Sequence, residues 1–405
     1  MSDPTGIGFD PTPEQVDLRR RIAAFVAEEA IPREAELRQP GGLPWETVQA
    51  LRARARAAGV YGPHLAPAWG GLGLDWRSVA IAFEEAGTSL LGPPALNAAA
   101  PDEGNVHLLE RIATPEQRRR YLAPLARGET RSCFAMTEPA PGAGSDPSML
   151  RTRAERVDGG WEITGRKWFV TGAEGAAFVI VMARTSDGSG AGPGGPGRGA
   201  TMFLVDAGAP GFEVVRRIGS LDHAFLGGHA ELRFEGCRLP DAAVLGEVDR
   251  GFEYAQVRLA PARLTHCMRW LGAARRALEV AVGYARERTS GGAVLGEHQM
   301  VQAMLADSAI ELHAARLMIW QAAWRLDRGA PAREESQMAK VFVAEAVGRI
   351  VDRAVQVCGA AGVSDDLPLG LLYREVRPFR IYDGPSEVHR AAIARRLLRR
   401  AAATE

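Results

Sequence analysis

The sequence CFAMTEPAPGAGSD, residues 133–146, marks the point at which the chain changes from one kind of structure to another. A short apolar run delivers Thr137 and Glu138 into a glycine- and proline-rich loop that ends at Ser145 and Asp146. Loops of this kind present backbone N–H groups and a hydroxyl to phosphate or carbonyl oxygens. Taken alone, the stretch is equally well explained as an ordinary strand–loop–strand turn.

The residues before this loop predict helices. The letters TPEQ at 12–15 combine a capping threonine, a proline in the first turn and a glutamine three residues after the cap. The same four letters recur at 114–117. We therefore predict a helical N-terminal domain over residues 1–130.

The residues after the loop predict strands. Two runs alternate apolar and polar residues, WEIT (161–164) and AELRF (230–234). Two others are more uniformly apolar, FVIVMA (178–183) and TMFLVD (201–206). Asp158-Gly159 lies between two strand-like runs and is a hairpin signal. We predict an antiparallel β domain over residues 131–245.

From residue 246 onward the pattern is helical again. One apolar or small stripe recurs at helical spacing, formed by Val301, Leu305, Ser308, Leu312, Ala315 and Ile319. Another helix begins near Glu334 and runs towards Cys358. Three or four long helices with short connections predict an up-down four-helix bundle over residues 246–405. The predicted fold class is therefore α+β and multidomain, in the order helical domain, β domain, helical bundle.

Length and composition indicate a soluble globular protein. A chain of 405 residues is too long for one ordinary core, and 46% hydrophobic with 24% charged residues is a globular profile. The 49 basic and 49 acidic residues leave no net charge, so we expect no nucleic-acid partner.

Targeting and metal signals are weak. The polar, proline-broken start predicts no signal peptide, and no apolar run approaches the ~20 residues of a membrane span. The four widely spaced cysteines predict a reduced, cytoplasmic protein, and the eight histidines show no paired ligand spacing, so we expect no metal site.

The glycine-rich stretch GSGAGPGGPGRG, residues 188–199, contains the pattern GxGxxG. A dinucleotide fingerprint needs a strand before the glycines and a helix after them. Here predicted strands flank both sides and proline interrupts the run. We interpret the stretch as a β–β loop, so a nicotinamide cofactor has no evident site.

Three further stretches can each be interpreted as ordinary structure, and for two of them a functional interpretation stands beside it. In GRKWFVTG (165–172), aromatic residues beside Thr171 could line a flat ring or could simply be core. In QVCGAAG (356–362), the glycines could be a helix C-cap. In RIYDGPSEVH (380–389), Asp383 is either the cap of the last helix or a base directed into a cavity.

Together these stretches resemble the acyl-CoA dehydrogenase family over nearly the whole chain. The family pattern T-E-P-x-x-G-S-D is met, with two extra loop residues, by Thr137, Glu138, Pro139, Gly144, Ser145 and Asp146. The pattern K-x-W-I-T is met by Lys167, Phe169, Val170 and Thr171, with Phe169 replacing the usual tryptophan. The segment at 381–389 matches I-Y-E-G-T-S-x-I.

Other stretches look closest to the branch containing the acyl-CoA dehydrogenase domains of animal family members 10 and 11. They are DEGNVH, RSCFAMTEP, ARLTHCMR and DGPSEVH.

The resemblance implies FAD as cofactor and α,β-desaturation of an acyl thioester as reaction. In the family a carboxylate removes the α-proton and the flavin N5 accepts the β-hydride, which no protein side chain can do. The resemblance also implies an acyl-CoA substrate, a role in fatty acid metabolism, an electron-transferring flavoprotein as acceptor, and a homotetramer or homodimer. A flavin oxidase or monooxygenase of the nitroalkane-oxidase type and a non-catalytic FAD-binding protein are the alternatives.

The resemblance assigns residues to the flavin. Those expected on the β domain are Met136, Thr137, Ser145, Phe169 and Thr171, with Thr171 near N5. Those expected from the bundle of a neighbouring subunit are Arg288, Ser290, Gln356 and Gly359. The catalytic residues expected are Asp383 and Arg263.

Asp383 replaces the glutamate base of the medium-chain branch. Other branches carry a glutamate just before the position of Arg263, but this sequence has Ala262 there, so Asp383 is the acid left at either site. Aspartate is shorter by one C–C bond, about 1.5 Å. The base therefore needs a closer backbone or a more deeply placed substrate. Burial beside apolar substrate should raise the pKa of Asp383.

Overall fold

The chain consists of a helical part, a strand-rich part and a second helical part. The computed structural model describes residues 9–38, 43–144, 146–186 and 199–402. Helices extend to Ala126, strands run from Ser132 to Leu245, and helices resume at Gly251. This order confirms the predicted fold class, while the boundaries at residues 130 and 245 stay predictions.

The N-terminal part is built from short helices. They are α1 (Pro13–Phe25), α2 (Trp45–Ala57), α3 (Trp76–Ala86), α4 (Gly92–Ala95), α5 (Asp102–Ile112), α6 (Pro115–Gln117) and α7 (Ala123–Ala126). Both predicted helix starts form complete capping boxes, at Thr12 and at Thr114. In the second, Thr114 Oγ1 accepts from the Gln117 N–H at 3.2 Å and Gln117 Oε1 accepts from the Thr114 N–H at 3.0 Å. The reciprocal bonds satisfy two N–H groups that a helix start leaves unpaired.

The central part is one eight-stranded sheet in the described part of the chain. Its strands are β1 (Ser132–Ala135), β2 (Arg153–Val157), β3 (Gly160–Thr171), β4 (Phe178–Arg184), β5 (Ala200–Asp206), β6 (Phe212–Ile218), β7 (His229–Pro240) and β8 (Val244–Leu245). They lie in the order β6-β7-β3-β2-β4-β5-β8, with β1 beside β4. All four predicted strand runs lie within these strands. The predicted hairpin joins β2 to β3, where Gly159 has φ +78°.

The sheet is antiparallel as predicted, except where β1 and β2 pair with β4, which itself pairs antiparallel with β5. Strand β1 runs parallel to β4 from the Ser132–Phe178 pair to the Ala135–Val181 pair, and β2 meets β4 in parallel at one pair. Parallel neighbours need a long crossover connection. Here the loop from 136 to 152 and the β2–β3 hairpin provide it. The predicted GxGxxG loop falls largely outside the described residues.

The C-terminal part is a bundle of long helices. They are α8 (Gly251–Glu287), α9 (Gln299–Asp327), α10 (Arg333–Cys358) and α13 (Ser386–Ala402), with α11 (Ala360–Val363) and α12 (Leu369–Val376) between the last two, and a β9–β10 hairpin (Thr289–Ser290, Ala293–Val294) after α8. Helix α10 packs against α8, α9 and α13. The predicted stripe lies on α9, where Ser308, Leu312, Ala315 and Ile319 are buried. No helix in the described ranges combines the length and apolarity needed to cross a membrane.

A buried ion pair fixes the loop that follows β1. Lys167 Nζ lies 2.9 Å from Glu138 Oε1, and the two side chains are 0% and 2% exposed. Lys167 also donates to the Met136 carbonyl at 3.1 Å. Glu138 accepts from three backbone N–H groups, those of Ala143, Arg151 and Thr152. These bonds hold both ends of the loop against β3.

We predict that Glu138→Ala lowers the free energy of unfolding by about 3–5 kcal/mol, because it leaves the Lys167 ammonium buried without its counter-charge. Chemical denaturation measures this loss. The matched control is Glu162→Ala, which removes a partly exposed carboxylate 2.9 Å from the exposed Arg238 Nε in the same sheet and should cost less than about 1 kcal/mol. Equal losses in the two variants would contradict the assignment.

Candidate active site

Asp383 lies in the turn between the 3-10 segment Arg377–Arg380 and α13. Its φ is +53° and that of Gly384 is +98°. Two side chains hold this strained backbone in place. Arg263 Nε lies 3.0 Å and His389 Nε2 3.2 Å from the carbonyl oxygen of Asp383. Arg263 thus contacts the main chain of the candidate base and fixes where its side chain begins.

The carboxylate of Asp383 is partly buried, at 18% exposed, beside basic groups. His266 Nε2 lies 3.3 Å from Asp383 Oδ2. Burial raises the pKa of Asp383, but the contact with His266 and the charges of Arg258 and Arg263 outweigh it and hold the pKa below its usual range. The expectation of a raised pKa is therefore wrong for this structure, because the sequence did not reveal three basic groups around the carboxylate.

His266 is a buried neutral imidazole. Burial lowers the pKa of His266, and the positive charge of Arg269 lowers it further. The negative charges of Asp383 and Glu103 raise this pKa, but only partly offset the two lowering effects. An ionised carboxylate only accepts hydrogen bonds, so the neutral ring serves Asp383 best with its proton on Nε2.

The capping interpretation of Asp383 receives less support than the base interpretation. In the part of the chain that the structure describes, no backbone N–H of α13 donates a hydrogen bond to the Asp383 carboxylate. The carboxylate is directed to His266 rather than to the helix start.

A cavity lies next to His266, where the N-terminal helices, the sheet loops and the bundle meet. Its lining is mainly apolar and includes Leu90, Pro93, Ala99, Phe225, Leu226 and Trp270. His266 lines this cavity and contacts Asp383 from behind, so Asp383 stands one side chain behind the wall of a mainly apolar cavity.

A row of rings connects the base to the β domain. Tyr382, next to Asp383, has its ring 4.8 Å from His266 and 6.4 Å from Phe225. The Phe225 ring lies 5.5 Å from His229, which lies 5.6 Å from Phe169. The end of β3 and the turn before α13 thus border one site, although more than 200 residues separate them.

The structure brings together the β-domain residues expected at the flavin. The Trp168 N–H donates to the Thr137 carbonyl at 3.0 Å, which joins the loop after β1 to the end of β3. Met136, Thr137 and Thr171 are partly buried there. Ser145 lies outside the described residues.

Phe169 is the clearest sign of a ligand on this side. It has φ +50°, a costly conformation for a bulky residue, and the residue is 44% exposed. Strain of this kind persists where the surrounding structure enforces it, often at ligand sites. An exposed ring face beside the Thr171 hydroxyl fits a flat, polar-edged group such as an isoalloxazine. The residues present therefore fit FAD.

The four bundle residues expected at the flavin lie at helix ends. Arg288 caps the C-terminus of α8 and Ser290 follows in β9, while Gln356 is in the last turn of α10 and Gly359 caps it. All four are exposed in the single chain.

Sequence reasoning missed the histidines and acids that support the site. His266 lies in the stretch ARLTHCMR, which linked the sequence to the family without a role for the histidine. No sequence pattern gave a reason to select Asp222, His229 or Glu375. Each is a lone polar residue on its own element, so no spacing pattern could connect them. The nearest signal was the buried character of the flanking residues.

The sequence matches three family profiles in chain order. They are the acyl-CoA dehydrogenase N-terminal domain over residues 12–129, middle domain over 133–237 and C-terminal domain over 249–398.

Curated relatives carry the same name. The chain is 38% identical to a probable acyl-CoA dehydrogenase, FadE2, of Mycobacterium tuberculosis, over 98% of both chains. It is 35% identical to human acyl-CoA dehydrogenase family member 11, over 98% of this chain and 52% of the relative. It therefore spans about half the length of that larger protein.

Solved structures agree with the relatives. A putative acyl-CoA dehydrogenase from Mycobacterium abscessus superposes with a TM-score of 0.88 at 32% identity, over 97% of this chain and 100% of the other. Butyryl-CoA dehydrogenase from Megasphaera elsdenii superposes with a TM-score of 0.85 at 27% identity, again over 97% and 100%. The chain belongs to the acyl-CoA dehydrogenase family.

Proposed function

We propose that this chain is an FAD-dependent acyl-CoA dehydrogenase that forms the α,β double bond of an acyl thioester, with Asp383 as the base. The observation that carries the proposal is the partly buried, ionised Asp383 behind the wall of a mainly apolar cavity. An acyl chain is apolar, and its α-proton is weakly acidic and needs a fixed base.

The side chains around Asp383 have different roles in the proposed reaction. Arg263 holds the main chain of Asp383, and the neutral His266 donates its Nε2–H to the carboxylate and orients it. Asp383 accepts the α-proton on a carboxylate oxygen. A carboxylate with a low pKa is a weak base, so an acyl chain that fills the cavity and excludes water must raise that pKa for efficient transfer.

FAD, when bound, accepts the β-hydride, which no side chain of the chain can accept. We assign Met136, Thr137, Ser145, Phe169 and Thr171 to it by the family motif. Phe169 offers a ring face and Thr171 a hydroxyl.

We assign Arg288, Ser290, Gln356 and Gly359 to the FAD of a neighbouring subunit, which makes a homodimer or homotetramer part of the proposal. Their exposure at the ends of α8 and α10 supports it. We further propose acyl-CoA as substrate, fatty acid metabolism as setting, an electron-transferring flavoprotein as acceptor and the cytoplasm as location. These four proposals follow from the family to which the chain belongs.

We predict that Asp383→Asn retains FAD but slows anaerobic bleaching of the flavin by acyl-CoA by about 10²–10⁴-fold, because the amide cannot accept the proton. Asparagine tolerates the positive φ of residue 383, so the fold should be kept. The measurement is stopped-flow absorbance with a panel of acyl-CoA chain lengths.

Asp383→Glu is the companion variant. Its extra C–C bond of about 1.5 Å misplaces the carboxylate, and a misplacement of about 1 Å can cost ~100-fold in rate. The proposal is refuted if no acyl-CoA of the panel bleaches the flavin of the wild type. It is also refuted if the wild type and Asp383→Asn bleach at equal rates. Rapid reoxidation by dioxygen with release of peroxide would favour the oxidase alternative.

We predict that His266→Leu moves the acidic limb of the bleaching rate to higher pH, because it removes a contact that lowers the pKa of Asp383. A lowered pKa keeps Asp383 ionised down to low pH in the wild type, and without His266 the base is protonated at a higher pH. His266→Gln retains an N–H donor and should move the limb less. Identical pH profiles for the two variants would contradict this role.

We predict that Arg288→Ala weakens FAD binding about 10- to 100-fold, since it removes a charged donor from the cofactor. Arg286→Ala, two residues earlier and also exposed, is the matched control and should bind FAD as the wild type does. Titration of the apoprotein with FAD by fluorescence measures both. Equal affinities in the two variants would remove Arg288 from the cofactor site.

A further inference from the structure

Thr171 is hydrogen-bonded to His229 and through it to Asp222, two side chains to which the proposed function gives no role. Thr171 Oγ1 lies 3.0 Å from His229 Nδ1, and His229 Nε2 lies 3.1 Å from Asp222 Oδ2. His229 and Asp222 are buried. Thr171 ends β3, His229 begins β7, and Asp222 lies in the loop before β7.

The Asp222 end of this hydrogen-bonded chain is fixed from two sides. Ser220 Oγ donates to Asp222 Oδ1. The next two backbone N–H groups, of His223 and Ala224, donate to Glu375 Oε1 of α12 at 2.5 and 3.1 Å. The loop that carries Asp222 is thereby attached to the bundle, seven residues from the candidate-base turn that contains Tyr382 and Asp383.

The chemistry of the three groups determines the direction of their hydrogen bonds. Burial raises the pKa of Asp222, but the bonds from His229 and Ser220 outweigh it and hold the pKa below its usual range. The carboxylate is therefore ionised and only accepts, so His229 Nε2 carries a proton. While the imidazole carries only that proton, Nδ1 is an acceptor, and the Thr171 hydroxyl must donate to it.

A hydroxyl has one hydrogen and two lone pairs. With its hydrogen held by His229, Thr171 can only accept a bond from any other partner. Oxidised flavin N5 is an acceptor, and reduced flavin N5 carries a hydrogen and is a donor. A Thr171 oxygen that accepts therefore matches the reduced cofactor.

We propose that Asp222 and His229 are positioning residues that hold the Thr171 hydroxyl as an acceptor towards the flavin and so favour the reduced cofactor. This inference rests on the proposed function for the place of the flavin beside Thr171. It assigns a role to two residues outside the family motifs matched above. The pair acts through Thr171 and touches neither substrate nor cofactor.

A double-mutant cycle on the flavin midpoint potential, measured at about pH 8, tests the inference. The holoenzyme is reduced by dithionite with a reference dye, so no acyl-CoA is needed. We expect Asp222→Asn and His229→Leu each to lower the ratio of reduced to oxidised flavin about 3- to 10-fold at fixed potential, the value of one hydrogen bond. On a Thr171→Val background the same two substitutions should cause no further change.

Two controls separate positioning from general structural damage. Asp241→Asn, an exposed aspartate of the same domain paired with Arg156, should leave the potential unchanged. On a Thr171→Ser background, which keeps the hydroxyl, Asp222→Asn should again lower the ratio. Asp222→Asn and His229→Leu break the hydrogen-bonded chain at different points. If one of them fails to fold, the other is enough to complete the double-mutant cycle.

Shifts of equal size with and without the Thr171 hydroxyl, or no shift in either variant, would overturn the inference. If acyl-CoA bleaches the wild type while the shifts are additive, only the positioning role fails. If the cycle succeeds while no acyl-CoA bleaches the flavin, only the proposed reaction fails. A chain that binds no FAD would refute both.

Discussion

The site depends on a buried polar turn of α5 that joins all three parts of the chain. Asp102 Oδ1 accepts from the Ser132 N–H and hydroxyl of β1, at 2.8 and 2.7 Å. Glu103 accepts from Thr265 of α8, and Asn105 accepts from Arg258 of α8 at 2.7 Å. Buried polar groups are costly unless every one is bonded, so these contacts allow little freedom in how the helices, the sheet and the bundle meet.

This junction also determines the electrostatics of the candidate base. Arg258 is held by Asn105 and adds positive charge near Asp383, while burial, and after it the charge of Arg269 near Glu103, lower the pKa of His266. The result is an ionised carboxylate beside a neutral donor. In the proposed reaction, Asp383 would start from a main chain that Arg263 fixes and would stay charged beside the basic groups around it.

The sequence predicted the fold well where local chemistry is decisive. The capping boxes at Thr12 and Thr114 form because a hydroxyl and an amide three residues apart satisfy each other whatever the rest of the chain does. Strands β3, β4, β5 and β7 follow from their apolar patterns. The parallel pairing of β1 with β4 was missed, because it depends on a crossover between distant segments.

By itself, the sequence determined the order of helical and strand-rich parts, the family motifs and the position of Asp383 at a Gly-Pro break. These are local properties, encoded by residue type and short spacing. Only the tertiary structure decided that His266 stands 3.3 Å from Asp383, that the pKa of Asp383 is lowered rather than raised, and that Thr171, His229 and Asp222 form one chain. The physical reason is that pKa and hydrogen-bond direction depend on which charges and donors meet in the interior, and those groups come from elements far apart in the chain.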